Sequence, residues 1–75
     1  MQNMKLQEYL SIERGRQTML AREIGAFDVS VHRWKTGEEP VPIKACVAIE
    51  RATAGKVSRK DLRPDDWMQI WPELI

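Results

Sequence analysis

QTMLAREIGAFDVSVHRWK, residues 17–35, is the stretch on which the fold turns. Leu20, Ala21 and Ile24 recur at three-to-four spacing, which predicts a helix over residues 17–24 with one apolar face. Gly25 follows where a left-handed closing residue is wanted, and a sharp turn comes next. Asp28 suits a helix cap, and Val31 and Trp34 share a face, so a second, short amphipathic helix is expected over residues 28–35, stopped by Gly37. A small Ala21 lets the two helices cross closely, while Leu20, Ile24, Val31 and Trp34 lock their angle. With Gln17 and Gly25, these are the positions of a helix-turn-helix unit, whose core spans residues 16–36. A plain helical hairpin with no partner fits the same spacing.

Such a unit leaves the outer side of its second helix free. That side carries Phe27, Asp28, Val29, Ser30, His32 and Arg33, the side chains that point into a major groove when the unit docks on duplex DNA. Arg33 is the leading base reader, because a guanidinium donates two hydrogen bonds to the edge of guanine; a phosphate contact is its plainer use. His32 is placed to meet a base or phosphate, or simply water, and Val29 to touch a thymine methyl. Arg16, Gln17 and Thr18 sit at the start of the first helix, where free backbone amides and the helix dipole favour a phosphate. Lys35 adds another phosphate contact. Trp34 shares the inward phase of Val31 and is read as core in preference to a stacking residue.

Outward from this centre, Asn3 is a good cap for a helix over residues 5–13 that shows Leu6, Tyr9, Leu10 and Glu13 on one side, with Gly15 ending it. After a polar loop, Pro42 belongs in the first turn of a helix reaching Thr53 or Ala54, with Ile43, Cys46, Val47, Ile49 and Ala52 buried and Gly55 closing it. Ser58 and Asp61 form a capping box for a brief turn, and Pro64, Asp65 and Asp66 begin a final one. The tail, residues 56–75, presents Trp67, Ile70, Trp71 and Leu74 at helical spacing. That stripe either closes the core or forms a dimer or partner surface. No strand-like alternation or repeat is seen. The expected fold is all-α, a compact bundle of about five short helices within one domain, residues 1–75.

Composition sets the outer bounds. The chain has 75 residues, 43% hydrophobic and 31% charged, which is ordinary globular composition but leaves only a small core. Net charge is +1, yet residues 14–37 hold five basic side chains against two acidic ones, a local balance of +3. A single cysteine, Cys46, excludes an internal disulfide and is read as a small buried hydrophobe. One histidine, one unassisted thiol, no phosphate-cradling glycine loop and no metal-ligand cluster argue against an enzyme, a cofactor or a metal. Neither a membrane span nor a secretory leader is expected, which points to the cytoplasm.

YLSIERGRQTMLAREIG at residues 9–25 and VHRWKTG at 31–37, followed by AIERATAG, VSRKDLRPDDW and IWPEL, resemble the Cro-like and YdaS-type family of small phage and prophage repressors, often described as antitoxins. The resemblance implies a lambda-repressor-like domain that binds a double-stranded DNA operator as a homodimer and regulates transcription. The rival reading is a protein-binding role of the antitoxin type, in which the tryptophan tail neutralises a toxin or other protein. Family members commonly carry a small polar residue such as serine where this chain has Phe27.

Overall fold

Six α-helices and one 3-10 turn, with no strand among the described residues, make up residues 5–74 of the computed structural model. In chain order they are α1 (Leu6–Leu10), α2 (Arg16–Ile24), α3 (Asp28–Thr36), α4 (Ile43–Ala52), α5 (Arg59–Leu62), α6 (Trp67–Ile70) and the 3-10 turn Pro72–Leu74. Asn3, expected to cap the first helix, lies outside the described residues.

The central hairpin forms as its residues dictate. Gly25 adopts φ 74°, which an L side chain resists, and this lets the Ala26 N–H reach back to the Ala21 carbonyl at 2.8 Å and satisfy the end of α2. Leu20 and Ala21 on α2 and Val31 on α3 are buried against one another, with Ile24 and Trp34 packed at the margin. Beneath the hairpin lies α4, whose Cys46 and Ile49 are wholly shielded from solvent. Burial pushes the Cys46 thiol up to about 11, so it stays protonated and inert.

Five expectations are corrected. The first helix stops at Leu10 instead of Glu13, because the Ser11 hydroxyl donates to the Gln7 and Glu8 carbonyls at 2.8 and 3.0 Å and ends the ladder there. Gly15 consequently closes nothing; at φ 87° it begins α2. Pro42 stands just before α4, and Ile43, expected in the core, is 49% exposed because the inward face starts one turn later at Cys46. The final helix is broken at Trp71, with the backbone at ψ 69°, into a single turn and a 3-10 turn.

The tail folds back over the bundle. Trp71 is 7% exposed and belongs to the same buried cluster as Leu6, Leu10, Val41 and Val57, while Trp67, Ile70 and Leu74 pack against it, partly buried. A Cα radius of gyration of 11.5 Å matches the roughly 11 Å expected of a compact chain this long. Arg63 secures the fold-back: it donates to the Val41 carbonyl at 2.6 Å and pairs with Asp66 at 2.8 Å.

The capping box read from the sequence is present at α5. The Ser58 Oγ accepts from the Asp61 N–H at 3.3 Å and the Asp61 carboxylate accepts from the Ser58 N–H at 2.9 Å. In a helix of one turn such a cap supplies much of the local order. Ser58→Ala is expected to cost about 1 kcal/mol, seen as an earlier midpoint in urea denaturation. An unmoved midpoint would show that α5 is held by packing alone.

Candidate nucleic-acid interface

α3 has two chemically different sides because Val31 and Trp34 must face α2 and the core. At about 100° per residue, that choice sends Val29, His32 and Arg33 to the opposite side within an arc of about 100°. All three are exposed there, Val29 to 53% and the Arg33 side chain to 47%. Ser30 lies between the two sides and is half-buried, at the rim of the face. Phe27, immediately before α3, is 80% exposed, an unusual place for a phenyl ring unless another surface covers it.

The expected capping role of Asp28 is corrected. Phe27 holds the cap position without a side-chain bond, and Asp28 is the first residue of α3. Its carboxylate instead accepts hydrogen bonds from the Gln17 Nε2 and, at 2.7 Å, from the Thr18 Oγ1. Gln17 also approaches the Asp28 carbonyl at 3.4 Å, so the starts of α2 and α3 are tied together. Those hydrogen bonds hold the Asp28 carboxyl below its usual range, with Lys35 and His32 adding smaller favourable charge. Lys35 is half-buried on the same side of α3, two turns on.

Arg16, the first residue of α2, lies over the Tyr9 ring at 4.6 Å from its centroid and pairs with Glu13 at 3.6 Å. It is thereby fixed against α1, at the end of the hairpin where α2 begins. Arg33 reaches Glu39 at 3.4 Å, a long, half-exposed pairing that holds the guanidinium only weakly.

The structure therefore brings Gln17, Thr18 and Asp28 together at the starts of two helices, with Phe27 and Val29 next to Asp28 in the chain and His32, Arg33 and Lys35 further along α3. It does not bring the tail into this group. Trp71 is buried, and the tail cations are engaged elsewhere: Arg59 with Glu50 at 3.1 Å and over the Trp71 ring, Lys60 over the Trp67 ring at 4.5 Å. Sequence reasoning missed two pairings, that of Asp28 with its Gln17 and Thr18 donors and that of Arg33 with Glu39. The first pairing joins residues ten and eleven apart across a turn, which no periodicity announces. Among the described residues no cluster of three His, Cys, Asp or Glu side chains could hold a metal ion, and no helix is long and apolar enough to cross a membrane.

Residues 6–70, from the first residue of α1 to the last of α6, match the family described as Bacterial toxin YdaS. Over 57 residues the chain is 46% identical to an Escherichia coli (strain K12) protein named "Putative transcriptional regulator YdaS". The alignment covers 75% of this chain and 58% of that relative, so the chain spans little more than half of the relative's length.

Proposed function

This chain belongs to the YdaS family, and from that premise we propose that it is a sequence-specific, double-stranded DNA-binding transcriptional regulator that lays α3 in the major groove. It acts in the cytoplasm as a repressor of the Cro-like, phage or prophage kind, with residues 1–75 as one unit and residues 16–36 as its reading head. The observation that carries this reading is the division of α3: Val31 and Trp34 pack inward while Val29, His32 and Arg33 stand exposed on the opposite side. The name of the Escherichia coli relative, a transcriptional regulator, supports it.

Two copies binding together would meet a roughly palindromic operator with half-sites about 34 to 36 Å apart. Selection from random duplex DNA with the purified protein tests this directly. The expected result is a palindromic site preferred at least about a thousandfold over random sequence, with steep salt dependence. A protein that ignores every duplex at low ionic strength overturns the proposal.

Within this reading Lys35 meets a phosphate. Lys35→Ala is expected to weaken binding to every sequence alike and to lower the salt slope by about one unit in a salt titration. An unchanged slope removes Lys35 from the phosphate contacts.

The family description speaks of a toxin, and a protein-binding role through the tail is the other reading. It finds less support: Trp71 is spent on the core, and Trp67 lies beneath the Lys60 ammonium.

A further inference from the structure

Asp28 is an acidic side chain at the head of a helix otherwise suited to a polyanion, and its surroundings give it a use. The exposed carboxylate is held by two donors from α2, the Gln17 amide and the Thr18 hydroxyl, so its direction is set before anything docks. Both donors also favour its ionised form, with smaller support from the charge of Lys35 and His32. An ionised carboxylate only accepts, and of its roughly four acceptor positions two are taken, which leaves room for a donor from outside. The exposed Phe27 ring and Val29 side chain stand one residue to either side in the sequence.

Major-groove chemistry narrows what that donor is. Only the adenine N6 and cytosine N4 amino groups offer hydrogens there, whereas guanine and thymine present acceptors that repel a carboxylate. Adenine sets its N7 acceptor directly beside the amino group. Cytosine sets a C–H edge there, which suits apolar neighbours such as Phe27 and Val29. A carboxylate facing phosphate gains nothing, so its favourable use in a complex is with a base.

We propose, resting on the DNA-binding reading above, that Asp28 is a specificity-determining residue that selects a cytosine in each half-site through its N4 amino group, with Gln17 and Thr18 as its positioning residues. The acidic side chain lowers general affinity for DNA and raises selectivity at one base pair. Gln17 and Thr18 act through Asp28 and not as primary phosphate ligands.

The test compares the full chain and its Asp28→Asn variant, first in selection from random duplexes and then in titrations of the selected operator. The expected wild-type operator has one cytosine per half-site favoured about tenfold over the other bases, and the variant reduces that preference to below about threefold while the other positions keep theirs. Replacing that cytosine with 2-pyrimidinone, which lacks the amino group, should weaken the wild type about tenfold and the variant hardly at all. Gln17→Ala combined with Thr18→Val should blunt the cytosine preference with Asp28 still in place. If Asp28→Asn does not fold, the 2-pyrimidinone titration of the wild type decides alone, and an unaffected affinity overturns the proposal. A variant that binds every duplex more tightly by one common factor also overturns it, since Asp28 is then only repulsive. A wild type with a clear operator but no position sensitive to Asp28 refutes this inference alone; a wild type with no duplex preference refutes the DNA-binding reading as well.

Discussion

Arg33→Ala should weaken binding to the selected operator roughly 5- to 150-fold, the equivalent of about 1 to 3 kcal/mol, and should erase the preference for guanine at a single base pair. The reasoning begins with position. The side chain is 47% exposed, and its contact with Glu39 at 3.4 Å is of the surface kind, which contributes at most about 1 kcal/mol. Little therefore opposes its turning toward a base, and a bidentate contact with guanine returns more than the ion pair gives up. Because the Arg33 side chain is exposed and pairs with a surface carboxylate, thermal stability should stay close to that of the parent protein. A loss shared equally by operator and random DNA would reduce Arg33 to a phosphate contact.

Ile49→Ala is expected to damage the fold itself. Ile49 has no exposed surface and sits on α4 beneath the hairpin, so truncation leaves a cavity bounded by other buried side chains. Such truncations cost about 2 to 5 kcal/mol, against a total stability of only about 5 to 15 kcal/mol for ordinary domains. A chain of 75 residues belongs near the lower end of that range. The melting temperature should accordingly fall by about 10 °C or more, followed by circular dichroism. An unchanged melting temperature would show that Ile49 does not occupy the centre of the core.

The helical hairpin of α2 and α3 was legible because each of its requirements is local. Ala21, Gly25, Val31 and Trp34 are each demanded by a neighbour within fifteen residues, and residue type at fixed spacing reports such demands. Three other features depended on contacts that spacing does not carry. The end of α1 was decided by one Ser11 hydroxyl outcompeting continued helix. The phase of α4 is set by which turn meets the bundle, so Ile43, expected in the core with Cys46, stays exposed in the first turn while Cys46 is buried. In the tail, Trp67 and Trp71 share a helical face on paper, but the helix lasts one turn and the two rings take different fates. On α3, residue types at helical spacing indicated which side is exposed, whereas the Asp28 tie depends on how two helices are placed.

The quiet pairing of the tail cations has one consequence for encounter with a partner. Residues 14–37 carry +3, and the rest of the chain therefore carries −2 within a net charge of +1. On the DNA-binding reading, this uneven division favours an approach to a duplex with the hairpin leading. On the same reading, the modest net charge of +1 would limit how tightly the chain clings to arbitrary DNA.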